Sequence, residues 1–510
     1  MTSRSARTVW VLGDQLHRDL NHLRGADPAD TEVLFVVSRS KLRSAPWHRQ
    51  RLHLILSAMR RFANELEAEG FAVDWRVTET MSEGVRAHFD ERRPDQLRVM
   101  EPMNRAGAAL LDRLSAELPL DVVPGDQFLC SRHEFADWAD GHVRRDGSLL
   151  MEDFYRWQRR RLNVLIDGDG EPVGGRWNFD DENRLPPPKH EVQWPDVAFE
   201  IPDEVDEWVD ELLSSVEGLR CVGAPSKGLW AADRAGVLKR LDHFIDTSLA
   251  GFGPYEDAII AEERFLNHSI LSPYLNLGLI HPKEVVARVL ERAGDVPLNS
   301  LEGFIRQIIG WREFVYGLYW WFGEDYLDSN VFDDDAPVPP SFLGEPTDMN
   351  CVAHVARWVD EDGWTHHIPR LMVLANLATL AGVRPHSMLR WMWASFVDGA
   401  EWVMAPNILG MGMYADGGRM STKPYVSGGN YLSKMTNFCG SCVFDKKERV
   451  GEHACPFTTL YWDFLDRNRE SLRPNHRMAR MYANLDRLAD LDEVRARAVE
   501  VRQRLRAGTL

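Results

Sequence analysis

Four cysteines, Cys351, Cys439, Cys442 and Cys455, carry the strongest chemical signal in this 510-residue chain. Cys439 and Cys442 form a C-x-x-C pair, Cys455 precedes Pro456, and Cys351 lies far upstream. Together they make a four-sulfur donor set without a nearby replacement histidine, which fits a structural zinc or an iron-sulfur cluster, and the Cys-Pro ending leans toward iron-sulfur. Spacing leaves the metal open, with unrelated buried thiols as the plain alternative. Cys130 and Cys221 have no such partners and read as core residues.

A second chemical signal lies at 155–181. Arg156, Arg159, Arg160 and Arg161 cluster at helical spacing beside Tyr155 and Trp157, and Trp177-Asn178-Phe179-Asp180-Asp181 follows. Basic charge interleaved with aromatic rings is how a protein grips phosphates and bases, and a solvated amphipathic helix is the bland counterpart. The adjacent carboxylates of Asp180 and Asp181 could hold a divalent cation such as Mg2+ or Mn2+.

The elements that must position these groups divide the chain. Short apolar runs at 9–12, 33–37, 73–77, 97–100 and 121–123 alternate with helical segments, which predicts a doubly wound parallel sheet over residues 1–130. Leu52, Ile55, Leu56, Met59, Phe62, Ala63 and Leu66 recur at helical spacing and should pack on that sheet. The loop Gly13-Asp14-Gln15-Leu16 follows the first strand, where such folds bind ligands, but it carries no G-x-G-x-x-G dinucleotide fingerprint. Residues 131–226 lose strand character and are rich in glycine and proline, so they read as an interdomain linker containing the basic helix. Residues 227–510 carry long periodic segments and should be all helical.

Composition is that of an ordinary globular chain, 44% hydrophobic and 27% charged. The net charge of -18 argues against indiscriminate polyanion binding but leaves room for a local basic surface. The first residues show neither a signal peptide nor a membrane helix, which leads to the expectation of a cytoplasmic protein with reduced thiols.

Two stretches then carry a family resemblance. Gly363-Trp364-Thr365-His366-His367-Ile368-Pro369-Arg370 resembles the G-W-x-H-x-x-x-R block of photolyases and cryptochromes, and Gly310-Trp311-Arg312-Glu313-Phe314 resembles their W-R-E-F block. Asn267-His268-Ser269-Ile270-Leu271-Ser272-Pro273-Tyr274 is similar to the family's flavin-phosphate loop, and Val397-Asp398-Gly399 to its segment beside the flavin ring. The four cysteines, with Met151-Glu152-Asp153-Phe154-Tyr155 and Gly174-Gly175-Arg176-Trp177-Asn178-Phe179, resemble the bacterial iron-sulfur cryptochromes and photolyases over nearly the whole chain.

That resemblance implies an α/β antenna-type domain, an all-α domain holding FAD and a 4Fe-4S cluster, and light-driven repair of 6-4 photoproducts in UV-damaged DNA by a monomer. A sensory cryptochrome without repair activity is the alternative, and a flavin-free, zinc-stabilised nucleic-acid-binding protein is a third. It implies cluster ligation by Cys351, Cys439, Cys442 and Cys455, and flavin contacts from Tyr255, His268, Ser269, Leu271, Ser272, Gln307, Arg312, Arg370, Asp398 and Asn407. Arg370 and Asp398 match a charge pair at the flavin ring. His366 matches the family's active histidine and His367 is its neighbour; imidazole suits proton donation and recovery near neutral pH. Two consecutive histidines on a helix should face different sides. Trp311, Arg156, Arg160, Lys423 and Tyr425 would meet DNA, and Trp391 would carry electrons.

The chain departs from the branch at two places. The acidic residue that members place after the second strand for a lumazine-type antenna is missing from Val36-Val37-Ser38-Arg39-Ser40, although Gly13, Asp14, Gln15 and His48 match. An altered chromophore or an empty site is therefore expected. Met392 and Ala400 stand where tyrosines are common and Phe342-Leu343 where a tryptophan is, leaving Trp393 or Trp402 as alternative electron donors.

Overall fold

The computed structural model describes residues 7–510; residues 1–6, part of the stretch on which the expectation of no signal peptide rests, lie outside the described residues. Its strands are β1 (Arg7–Val11), β2 (Thr31–Ser38), the two-residue β3 (Trp47–His48), β4 (Ala72–Thr78), β5 (Gln96–Met100), β6 (Leu120–Val123) and the two-residue β7 (Cys221–Val222). The five longer strands form one sheet in the order β4-β2-β1-β5-β6. Every pairing is parallel, with Val9 opposite Val33 on one side and Arg98 on the other. The order steps outward from β1 in both directions, which is the doubly wound arrangement the spaced apolar runs imply.

All eight residues of β2 are buried, as an apolar strand covered on both faces requires. The helix Arg49–Ala68 lays Leu52, Leu56, Met59, Phe62, Ala63 and Leu66 on the sheet, while Ile55 is only partly covered. β3 and β7 pair separately, and Cys221 in β7 is exposed, so it is no core thiol; Cys130 is buried as expected.

From Arg234 onward the regular elements are helices. The helices Arg132–His142 and Met151–Leu162 pack their aromatic faces into this half, and Phe135 lies so close to Gly317 that a Cβ there would stand 2.0 Å from the ring. Arg159 is fully buried and donates to the carbonyls of Val164 (3.3 Å), Trp177 (2.8 Å) and Leu165. It thus pins the loop after its helix, and only part of the arginine cluster is left for other partners.

Three seven-residue stretches, Arg306–Arg312, Pro369–Ala375 and Pro406–Gly412, are wound as π-helix inside longer helices. Pro369 and Pro406 open two of them and supply no N–H, so the hydrogen-bond register can widen there. These stretches hold Gln307, Trp311, Arg312, Arg370 and Asn407. No helix among the described residues is long and apolar enough to cross a membrane.

Candidate functional site

Arg370 and Asp398 meet in a two-pronged fork. Arg370 donates from Nη1 to Oδ1 (2.9 Å), from Nη2 to Oδ2 (3.0 Å) and from Nε to the Thr365 carbonyl (2.7 Å). Ser272 Oγ donates to Asp398 Oδ2 (2.7 Å), and Asn276 Nδ2 donates to the Asp398 carbonyl (2.9 Å). The guanidinium lies 4.3 Å above the Phe396 ring, and the side chains keep only 17% and 7% exposure. A buried pair with this many bonds is a rigid charge element. Trp391 stands one ring away, 6.2 Å from Phe396 and 5.1 Å from Phe342.

The loop before Ser272 bends through two left-handed residues, Leu266 and Ile270, both at φ 47°. That conformation is costly for branched side chains and persists only where packing enforces it. It carries His268 and Ser269, followed by buried Leu271; Tyr255 packs edge-on against Trp194 at 5.4 Å.

The histidines converge. His268 and His366 stack at 4.3 Å and 17°, and His367 lies 5.7 Å from the first and 5.8 Å from the second. The expectation of opposite faces does not hold, because His366 precedes the helix and the rotation between helical neighbours does not yet apply. His366 is 3% exposed; burial first, then the neighbouring imidazoles and Arg370, hold its proton affinity well below the usual range. His268 is lowered in the same way. His366 Nδ1 and His268 Nε2 are buried without a hydrogen-bond partner. His367 is half exposed, with Nε2 3.4 Å from Asp257 Oδ1.

Behind them sits Glu256, which no spacing in the sequence marks. Its carboxylate accepts from Gln307 Nε2 (2.6 Å) and Asn183 Nδ2 (3.2 Å), and burial pushes its pKa up to about 7. Arg312 is turned away from this group. It pairs with Glu313 (2.8 Å), donates to the carbonyls of Gln127 and Leu275, and lies 4.0 Å over Phe128. Asn407 donates to Val403 within its own helix (2.8 Å).

The basic and aromatic residues read as DNA contacts lie in several groups. Arg156 and Arg160 lie over Trp177 at 5.9 and 4.4 Å, whereas Arg161 is held by Glu134, Gln158 and the Leu129 carbonyl. Tyr425, 41% exposed, feels the charges of Arg477, Arg184 and Asp180, and Tyr431 those of Asp257 and Arg184. Lys423 has its ammonium disfavoured by burial and by Arg477. Trp311 is half buried beside Phe314. Asp180 pairs with Arg184 and Arg306, and Asp181 with Arg176.

The four cysteines line one pocket with Met349, Gly429, Leu432, Phe438, Phe444, Lys446, Pro456 and Phe457. Cys351 lies in the first turn of Asn350–Asp362, Cys439 in the turn Phe438–Gly440, and Cys455 caps Pro456–Arg467. Asn350 Nδ2 ties two of these elements by donating to the Phe438 carbonyl (2.8 Å). Burial and then the other three sulfurs push the Cys351 thiol well above its usual range. A Cβ on Gly429 would come 3.0 Å from Cys455 Sγ. Four thiols crowded in an apolar pocket, with no imidazole or carboxylate in the lining, match an all-sulfur metal or cluster site.

At the carboxyl end of β1, Arg51 lies 4.6 Å over Trp47 and donates to the Trp393 carbonyl, while Lys41 lies 5.4 Å over Trp393. Burial pushes Asp14 up to about 6. His48 is tied to the Asp360 carbonyl (3.1 Å) and accepts from the Gln50 amide (3.2 Å). Trp402 is fully buried, edge-on to Phe128 and Tyr316.

Known proteins share this pattern. The profile of the family described as "Deoxyribodipyrimidine photo-lyase-related protein" matches residues 9–223. The "(6-4) photolyase" of Agrobacterium fabrum is 39% identical over 520 residues, covering 98% of this chain and all of that protein. Among solved structures, a bacterial class III photolyase from Agrobacterium tumefaciens aligns over 99% of both chains with a TM-score of 0.55 at 17% identity. A Synechocystis cryptochrome aligns over 80% of this chain and 82% of its own with a TM-score of 0.53 at 13% identity.

Proposed function

The chain belongs to the deoxyribodipyrimidine photolyase-related family of DNA photolyases, and from that membership we propose that it repairs pyrimidine-pyrimidone 6-4 photoproducts in DNA under blue light. The observation that carries this reading is His366, a buried neutral imidazole whose Nδ1 has no partner and on which the His268 ring stacks.

FAD fits the neighbourhood. Ser269, Tyr255, Leu271 and the strained loop around His268 would hold its diphosphate side, Gln307 and Asn407 its adenine side, and Arg370 with Asp398 its ring. Bound in the reduced form and excited by light, FAD supplies the electron that this repair needs. The fork keeps a guanidinium fixed in a half-buried position, where it favours negative charge close by and prevents Asp398 from turning away. Trp391 is the electron relay we assign, through Phe396.

His366 moves the proton. Its Nδ1, once protonated, donates the proton to the lesion and recovers it within the same site. The approach of polyanionic DNA raises the proton affinity of an imidazole that burial has lowered. His367, held by Asp257 at the surface, steers from the opening. Arg156, Arg160, Trp177, Lys423 and Tyr425 grip the strand, and Trp311 stacks on the extruded lesion.

The thiol pocket fits a 4Fe-4S cluster held by Cys351, Cys439, Cys442 and Cys455. Cys439→Ser should lower the iron content of purified protein and destabilise the helical half; unchanged iron would remove that cysteine from the set. We assign no antenna, because His48 is consumed by backbone groups and two cations stand beside Trp47 and Trp393.

The test of the reading is His366→Ala, assayed under blue light on a 6-4 photoproduct oligonucleotide. Repair should fall by about 10²–10⁴-fold with flavin retained. Undiminished repair would end the proton assignment.

A further inference from the structure

The three imidazoles have a property that proton transfer does not require. Each lies against one of three consecutive residues. The backbone of Glu256 favours the protonated form of His268, that of Ala258 does the same for His366, and His367 Nε2 faces the Asp257 carboxylate at 3.4 Å. His268 Nε2 and His366 Nδ1 are buried with no partner, and one ligand nitrogen from each of the three rings lies within 4.8 Å of the other two.

Such a convergence suits a histidine metal site, in which each ligating ring donates its second nitrogen to a carbonyl or carboxylate that fixes its tautomer. We propose that His268, His366 and His367 bind a borderline divalent cation of the zinc class, at a site separate from the thiol pocket.

The chemistry of the donors selects the ion. Three neutral imidazoles suit Zn2+ and its neighbours and are poor ligands for Mg2+ or Ca2+, which prefer oxygen. A tetrahedral zinc at about 2.0–2.1 Å from each nitrogen needs ligand atoms roughly 3.3 Å apart, so the trio must close on the ion. His367 is the ring that can move, being half exposed, and the His268 and His366 rings must rotate out of their stack. Three protein ligands leave a fourth position for water or a ligand oxygen. A cation so placed takes the Nδ1 lone pair of His366. Only this last consequence, inhibition of repair, rests on the function proposed above; binding does not.

The experiment uses flavin- and iron-loaded protein, so that the thiol pocket is filled, and titrates Zn2+ against a chromophoric chelator at neutral pH. One zinc per chain beyond the cluster is expected, indifferent to a large excess of Mg2+. His367→Gln, at the surface, should weaken binding at least about tenfold, and His366→Ala should weaken it further. Lowering the pH should release the ion as imidazoles take up protons. If His366→Ala loses its flavin, His367→Gln decides alone. No uptake by the wild-type protein, or equal affinity in His367→Gln, overturns the site. Chelator-reversible suppression of photorepair by Zn2+ then tests the consequence, and failure of repair itself leaves the binding result standing.

Discussion

Two buried histidines, one in each half of the molecule, show how the same side chain serves opposite ends. His88 in the sheet region is closed on both sides, with Nδ1 2.7 Å from Asp74 and Nε2 2.9 Å from Thr8 Oγ1. His366 in the helical half is as deeply buried but keeps Nδ1 open and faces two more imidazoles. A saturated polar group holds a fold together, whereas an open one costs stability and has to be explained by what it meets. Openness alone is not sufficient. His22 also has both ring nitrogens buried without a partner, but it is not part of such a convergent set of imidazoles.

The comparison can be broken first at the fork that supports His366. Asp398→Ala strands the Arg370 guanidinium and should cost about 3–5 kcal/mol, read by chemical denaturation, together with loss of flavin on gel filtration. Unchanged stability would mean that the fork is solvated and carries little. His88→Ala is the counterpart on the sheet side. It leaves Asp74 and Thr8 without their bond and should cost about 1–3 kcal/mol while repair per folded molecule stays as in the wild type. A repair defect there would erase the distinction between the two histidines.

A smaller effect comes from Glu256. Its carboxyl titrates near 7 in the folded chain, against roughly 4.3 when unfolded. The folded state therefore holds the extra proton between these values, and stability falls as pH rises through that window. Glu256→Gln should flatten the slope between about pH 4.5 and 7 in denaturation midpoints; an unaltered slope would assign it to other groups. Smallest is Arg160→Ala. It should weaken DNA binding uniformly across sequences and reduce the salt dependence by about one unit of slope. A sequence-dependent change would show base contact instead.

How much of this was legible in the chain differs between the same two halves. The sheet followed from its apolar runs, because parallel strands buried on both faces leave a local signature that survives without tertiary context. The meeting of Cys439, Cys442 and Cys455 was legible in their spacing, since short loops bring them together, whereas Cys351 joins them from 88 residues upstream and was marked by residue type and resemblance alone. The histidine site did not. His366 was singled out by its resemblance block, and its convergence with His268 and His367 depends on a chain reversal 98 residues away, which periodicity does not report. The three π-helical stretches are equally silent, because one residue of register shift leaves the apolar pattern almost intact. Nothing in the sequence marks Glu256, and Arg159 reads there as one of a phosphate-gripping cluster; packing buries both. Asp180 and Asp181 are adjacent acids whose arginine partners, Arg306 and Arg176, the sequence does not mark.

The measurement that tests the central claim most directly is light-dependent repair itself. Reduced, flavin- and iron-loaded protein is illuminated with blue light on a single-stranded oligonucleotide bearing one 6-4 photoproduct, and restored thymines are followed chromatographically, with a cyclobutane dimer as control. Conversion of the 6-4 substrate in light and not in darkness is the result this account expects. No conversion of either lesion by fully loaded protein would contradict it and leave a blue-light sensor as the reading of the fold.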